Sequence, residues 1–128
     1  MPVVLVVDDE IDLLTALSDA LSAEGWRVLV ASAPDAAFSA ARSCPVDVVL
    51  CDLLLRGEDG RMLKAAFDQD GRLRRVPFVF MTASLRGEQL CCGVPVIEKP
   101  FRVAEVVEVL ARRLPGGLDL PGRAPIAG

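Results

Sequence analysis

The chain has 128 residues, of which 52% are hydrophobic, and its 18 acidic and 14 basic residues give a formal net charge of −4. This length suits one domain, and the apolar content is too high for an intrinsically disordered chain. The acidic balance disfavours nucleic acid, whose phosphates are neutralised by Lys and Arg, and the longest apolar runs are too short to cross a bilayer. We therefore expect one cytoplasmic domain without a nucleic-acid or membrane partner.

Five short apolar runs, rich in Val, alternate with segments of helical period; the runs cover residues 3–7, 28–31, 48–51, 78–81 and 94–97. Nearly continuous apolar runs of this length are typical of parallel strands that are covered on both faces. The pattern predicts an α/β protein with a doubly wound parallel sheet of (βα)₅ type. We assign residues 1–114 to this domain and predict a flexible tail at 115–128, where Pro and Gly are frequent.

The helical segments carry apolar stripes at the spacing of one helix face. The first stripe is Ile11, Leu14, Leu17 and Leu21, and the last is Val103, Val106, Val107, Leu110 and Leu114. Ser32 and Asp35 have the spacing of a capping box at the start of the second helix, with Pro34 in its first turn.

Acidic residues fall where two of the predicted strands end. Asp8 and Asp9 follow the first strand, and Asp52 follows the third. In a doubly wound sheet both positions lie at the carboxyl edge, where ligands bind. Three carboxylates gathered there would repel one another unless a cation lies among them, and Mg²⁺ accepts this kind of oxygen ligand. For each acid taken alone, a helix cap or a solvated loop end is the plainer interpretation.

Two further polar residues end strands at the same predicted edge. Thr82 ends the fourth strand and can donate a hydroxyl hydrogen to a phosphoryl oxygen. Lys99 follows the fifth strand and can neutralise such an oxygen, and its bond to Pro100 is a candidate cis peptide. Taken alone, Thr82 is an ordinary strand-end hydroxyl and Lys99 an ordinary surface charge.

The segments VVLVVDDE, VVLCDLLLRGEDG, VFMTA and EKPF, each at a predicted strand end, together resemble the response-regulator receiver family from about residue 3 to residue 114. The resemblance implies a flavodoxin-like fold and a phosphoacceptor at Asp52. It also implies Mg²⁺ bound by Asp9, Asp52 and the carbonyl of Leu54, with Asp8 acting through water. Thr82 and Lys99 would bind the phosphoryl oxygens. The implied donor is a phosphohistidine on a sensor histidine kinase or histidine phosphotransfer protein.

In this family, two positions influence the access of water to the aspartyl phosphate. One lies two residues after the phosphoacceptor and the other two residues after the threonine. Here they are Leu54 and Ser84. Leu54 has no polar group to orient a water molecule, and Ser84 is small and neutral. We therefore expect a phosphoryl group that persists for minutes or more.

The sequence departs from the family in three places. Arg56 replaces the usual proline, and the stretch between Thr82 and Lys99 is several residues short, which resembles a compact form with a reduced fourth helix. Val96 occupies a position where many receivers carry a switching aromatic residue. We expect phosphorylation to alter partner binding near residues 83–93 without symmetric dimerisation.

Other functions remain open from the residues alone. A phosphohydrolase with an aspartate nucleophile usually has a second Asp two residues on, where this chain has Leu54. A flavin-binding module would need a Ser, Thr or Gly-rich phosphate loop after the first strand. Within the receiver family, we expect a stand-alone regulator, with a module of a hybrid histidine kinase as the alternative.

Cysteine chemistry is a weaker possibility. The chain has four cysteines and no histidine. It also lacks a C-x-x-C pair, so the sequence does not indicate a zinc site. Cys51 lies within an apolar run and is predicted to be a small core residue. Cys91 and Cys92 are adjacent, a spacing that fits disulfide geometry poorly.

Overall fold

Five strands pair in parallel and form one sheet in the order β2-β1-β3-β6-β7. The computed structural model describes residues 1–55, 57–83 and 93–114. The sheet strands are β1 (Val3–Val7), β2 (Arg27–Ala31), β3 (Val48–Asp52), β6 (Phe78–Thr82) and β7 (Val96–Glu98). Counted along the chain these five have the order 2-1-3-4-5, which confirms the predicted doubly wound, flavodoxin-like sheet.

Four described helices connect or follow the strands. They are α1 (Ile11–Ala23), α2 (Pro34–Ser43), α3 (Arg61–Asp68) and α4 (Val103–Arg112). A two-stranded antiparallel hairpin, β4 (Leu54–Leu55) and β5 (Glu58–Asp59), lies between β3 and α3 and was not predicted. Gly57 adopts the left-handed conformation (φ 83°) in the hairpin turn, where a side chain would be strained.

Two apolar cores lie on opposite faces of the sheet because successive strand residues point to opposite sides. Val4, Val6 and Leu50 belong to the core beneath α1 and α4, with Leu17 and Leu110 supplied by those helices. The other core lies beneath α2 and α3 and includes Leu5, Val49, Cys51, Ala37 and Phe67. The central strand β3 is therefore buried along its whole length.

The predicted helix stripes are largely confirmed. Leu14, Leu17 and Leu21 of α1 are buried, but Ile11 at the start of the helix is 59% exposed. In α4 the buried apolar residues include Val106, Val107 and Leu110. No helix within the described parts of the chain has the length and apolarity that spanning a membrane requires.

Some boundaries differ from the prediction. The last sheet strand was expected at 94–97 but runs from Val96 to Glu98, because Pro95 has no N–H for the ladder and contributes only its carbonyl, which accepts from Phe80 N at 2.9 Å. The predicted capping box is wrong, since α2 begins at Pro34 after Ala33 and has no side-chain cap. The predicted fourth helix and the tail at 115–128 lie outside the described residues.

Candidate functional site

The parallel register brings the polar strand-end residues to one edge of the sheet. Cys51 pairs with Val7, so Asp52 at the end of β3 lies level with Asp8 after β1. Thr82 ends β6 and pairs with Glu98, the residue before Lys99. The Lys99 N–H donates to the carbonyl of Thr82 at 2.7 Å and extends the ladder by one hydrogen bond.

Asp8, Asp9 and Asp52 form a compact carboxylate cluster. One carboxylate oxygen from each lies within 4.8 Å of those of the other two. Asp8 is fully buried and Asp52 is 8% exposed, while Asp9 is only partly buried. The predicted grouping of these acids is therefore present, and the cluster is of the type that holds Mg²⁺ in receivers.

Lys99 bridges two of the three carboxylates. Its Nζ donates to Asp8 Oδ2 at 2.8 Å and to Asp52 Oδ2 at 3.0 Å, and it lies 3.9 Å from Glu10 Oε1. The Lys99–Pro100 peptide bond is cis. A single ammonium group therefore contacts both buried acids.

The pKa values of Asp8 and Lys99 are both shifted in this cluster. Burial raises the pKa of Asp8, and the charge of Asp52 adds to the effect, although hydrogen bonds from Lys99 and the Glu10 N–H oppose it. Burial lowers the pKa of Lys99, but its hydrogen bonds with Asp8 and Asp52 outweigh burial and leave the pKa raised. Lys99 is therefore charged at neutral pH, and a further cation would stabilise the ionised form of Asp8.

The backbone after β3 holds the Asp52 carboxylate from the other side. The Leu54 N–H donates to Asp52 Oδ1 at 3.1 Å, so each carboxylate oxygen of Asp52 has a different donor. The Gly60 N–H donates to the carbonyl of Leu53 at 2.7 Å. A Cβ on Gly60 would lie 2.1 Å from the carbonyl oxygen of Asp52, so only glycine fits there.

The cluster opens into a cavity of about 390 Å³. Leu54 and Ala83 contribute apolar surface to its lining, and Leu54 is 64% exposed. Thr82 lines the cavity from the end of β6. The cavity therefore offers a buried carboxylate, an ammonium and a hydroxyl to one ligand, with Leu54 at its mouth.

Sequence reasoning missed two contributors to this site. Gly60 is not among the predicted site residues, because close approach to the Asp52 backbone leaves no signal in a single sequence. Glu10 lines the cavity beside Lys99 and belongs to the acidic run after β1. Ser84, Arg56, Cys91 and Cys92 lie outside the described residues.

Cys51 is a structural residue at this site. It is fully buried, its thiol donates to the carbonyl oxygen of Asp52 at 3.2 Å, and burial raises its pKa. A thiol with a raised pKa carries little thiolate and is unreactive. Cys51 therefore packs beneath the phosphoacceptor candidate, as the sequence predicted for a core cysteine.

Comparison with known proteins agrees with this geometry. Residues 4–111 match the response regulator receiver domain family. The probable transcriptional regulatory protein TcrX of Mycobacterium tuberculosis is 34% identical over 111 residues, covering 81% of this chain and 46% of TcrX. The chain spans about half the length of the curated relatives it matches.

Solved structures show the same similarity. The chemotaxis response regulator CheY4 of Vibrio cholerae is 25% identical, with a TM-score of 0.80 over 89% of this chain and 99% of CheY4. The receiver domain of sensor histidine kinase PA1611 from Pseudomonas aeruginosa, with a magnesium ion coordinated in its active site cleft, is 27% identical, with a TM-score of 0.78 over 87% and 95% of the two chains. With the family match over most of its length and the acidic cluster at the expected edge, the chain belongs to the response-regulator receiver family of two-component signalling, whose members are phosphoacceptor signalling modules rather than catalytic enzymes.

Proposed function

We propose that this protein accepts a phosphoryl group from a phosphohistidine onto Asp52 and signals through the resulting aspartyl phosphate. The observation that carries the proposal is the position of Lys99, which lines the cavity and whose ammonium contacts both Asp8 and Asp52. These 128 residues contain no histidine, so the phosphohistidine lies outside them. A sensor histidine kinase or a histidine phosphotransfer protein is the proposed donor.

The donor set fits Mg²⁺. Three carboxylates offer hard oxygen atoms within 4.8 Å of one another, and Mg²⁺ prefers ligands of this kind. Asp8, Asp9 and Asp52 would hold the ion, with the carbonyl of Leu54 as a further ligand. Bound Mg²⁺ supplies positive charge that stabilises the phosphoryl oxygens during transfer.

The protein's own groups account for the rest of the transfer. The Asp52 carboxylate forms a bond to phosphorus while the bond between phosphorus and the histidine nitrogen breaks, and that nitrogen keeps the electron pair. The Leu54 N–H orients Asp52 from one oxygen. Lys99 exchanges its hydrogen bond with Asp52 for one with a phosphoryl oxygen, and the Thr82 hydroxyl donates to another.

The size of the natural protein is a separate question. The stand-alone form stays a prediction, because CheY4 is a chemotaxis response regulator whereas the PA1611 receiver belongs to a sensor histidine kinase. TcrX is described as a transcriptional regulator and is about twice as long as the matched segment. The mass of the protein isolated from its own host distinguishes these forms.

Intact-mass measurement after incubation with acetyl phosphate and Mg²⁺ tests the phosphoacceptor. We expect one added phosphoryl group, no addition with Asp52→Asn, and no addition when EDTA removes the metal. Asp59→Asn is the matched control, because Asp59 is an acid of the neighbouring hairpin and should leave labelling unchanged. Equal labelling of Asp52→Asn would contradict the assignment.

A further inference from the structure

A second cavity lies between α2 and α3, on the face of the sheet that carries these helices. It has a volume of about 480 Å³, against about 390 Å³ for the cavity beside Asp52, which we call the phosphoacceptor cavity. The two cavities share no lining residue. We call it the α2–α3 groove. Its lining includes Phe38, Met62, Leu63 and Ala66, with acidic residues of α2 and β5 at its rim.

The floor of the α2–α3 groove is apolar and rigidly supported. The ring of Phe38 packs edge-on against Phe67 with centroids 5.9 Å apart, and Phe67 packs edge-on against Phe78 at 5.0 Å. Beside this floor Met62 is 69% exposed. Covering Met62 would remove apolar surface from water, and methionine adapts readily to different partners. The floor therefore favours an apolar side chain as ligand.

The rim of the α2–α3 groove is acidic. Asp35 lies in the first turn of α2, and Glu58 and Asp59 form β5. Arg61 donates to both carboxylate oxygens of Asp59, whereas the carboxylates of Asp35 and Glu58 have no ion pair or hydrogen bond with the residues that the structure describes. Among the residues that the structure describes, none of those lining the groove is a Lys or Arg. The rim therefore favours positive charge.

We propose that the α2–α3 groove binds a cationic amphipathic segment of a partner protein. Apolar side chains of that segment would pack on Phe38 and Met62, and flanking Lys or Arg residues would pair with Asp35 and Glu58. The chain's own residues 115–128 match this chemistry less well, because their only charged side chains are Asp119 and Arg123. The partner surface is thus distinct from the phosphoacceptor cavity and extends the proposed signalling role.

A labelled synthetic helix with one leucine face and one lysine face is the probe, and fluorescence anisotropy with the full chain measures its binding. Glu58→Lys and Met62→Ser should each weaken binding about tenfold, since each removes one of the two contacts. Glu24→Lys and Val30→Ser are the controls, because one makes the same charge reversal and the other replaces an exposed apolar side chain with serine, both at exposed positions elsewhere. They should change binding by less than about twofold.

Three results would overturn the proposal. Equal weakening by Glu24→Lys would show only general attraction to an acidic protein. Weakening by just one of the two groove variants would contradict combined recognition of charge and apolar surface. Displacement of the probe by a peptide of residues 115–128 would identify the chain's own tail as the occupant. A control helix with glutamate in place of lysine should not bind.

Discussion

Carboxylates are found at both cavities of this receiver, but they differ in how far they are buried. At the carboxyl edge of the sheet, Asp8 and Asp52 are buried against each other and share the ammonium of Lys99. In the α2–α3 groove, Asp35 and Glu58 surround an apolar floor. Burial strengthens the electrostatic interactions among the carboxylates and the ammonium, as the proposed binding of a cation and a phosphoryl group requires. The exposed carboxylates of the groove are screened by water but remain accessible to a partner.

One short segment joins the two cavities. Asp52 ends β3, the hairpin follows, and Gly60 returns to within contact of the Asp52 carbonyl before α3 begins. Leu54 on β4 lines the phosphoacceptor cavity, and Asp59, its partner on β5, lines the groove. Glu58 on the groove rim is therefore only six residues after Asp52 along the chain.

The largest difference in stability between the two cavities should come from removing the basic side chain that pairs with an acid at each of them. We expect Lys99→Met to lower the free energy of unfolding by about 3 kcal/mol, because it leaves two buried carboxylates without their shared partner. Arg61→Met should cost less than about 1 kcal/mol, since its pair with Asp59 is exposed. Urea unfolding in EDTA, followed by the fluorescence of the single Trp26, measures both. Equal losses would remove the distinction between the cavities.

Metal dependence should separate the cavities next. Mg²⁺ at about one hundred times its dissociation constant should stabilise the protein by about 2.7 kcal/mol, because it binds only the folded site. Asp9→Ala should abolish this response, because it removes one of the three carboxylates that would hold the ion. Glu58→Gln should retain the full Mg²⁺ response. Thermal melts with and without Mg²⁺ test this, and a response retained by Asp9→Ala would argue against the site.

Substitution of Gly60, in the connecting segment, should have a larger effect than substitution of Gly71, which lies after α3. Gly60→Ala should cost about 1–3 kcal/mol and slow labelling of Asp52, because the new methyl group would displace the Asp52 backbone. Gly71→Ala is the matched control, since a Cβ there meets no atom within 4 Å, and it should change stability by less than about 0.5 kcal/mol. Urea unfolding and acetyl phosphate labelling give the two readouts, and similar behaviour of the variants would contradict the tight contact.

The sheet and the acidic cluster could be predicted because their signals are local and repeated. Each sheet strand coincides largely with a short apolar run, and a polar residue able to bind a metal ion or a phosphoryl oxygen ends or follows four of the five strands. Parallel register then brings Asp8, Asp52, Thr82 and Lys99 together without further information. The bridge from Lys99 to both Asp8 and Asp52 could not be predicted, since it depends on the path of the chain after β7.

The hairpin and the α2–α3 groove escaped prediction for different reasons. Two-residue strands such as Leu54–Leu55 are too short to show a period of two. The groove depends on how α2 and α3 pack, which places Phe38 and Met62 on one surface although they are distant in the sequence. The capping box failed because Pro34 occupies the first helical position and makes Ala33, rather than Ser32, the cap residue.

The smallest predicted effect concerns pH, and it has opposite signs in the two cavities. Burial raises the pKa of Asp8, so its ionisation disfavours folding, and stability is lost as pH rises from 3.8 through the folded-state pKa. Hydrogen bonds from Arg61 lower the pKa of Asp59, so its contribution is complete above 3.8 and is lost as pH falls through the folded-state pKa. Each pKa shift therefore predicts how the stability of a variant with a neutral side chain, relative to the parent protein, changes with pH.

Urea unfolding from about pH 3 to about pH 7 in EDTA compares the two substitutions. Relative to the parent protein, Asp8→Asn should become more stable as pH rises, and Asp59→Asn should become less stable. The test is the change with pH in the difference in unfolding free energy between variant and parent. The difference at any single pH is not a test, because Asp8→Asn also alters the hydrogen bond with Lys99 at every pH. Saturating Mg²⁺ should reverse the trend for Asp8→Asn, since the ion favours the ionised carboxylate, and should leave Asp59→Asn unchanged. Parallel slopes for the two variants in EDTA would show that the buried and exposed acids are not in different electrostatic environments.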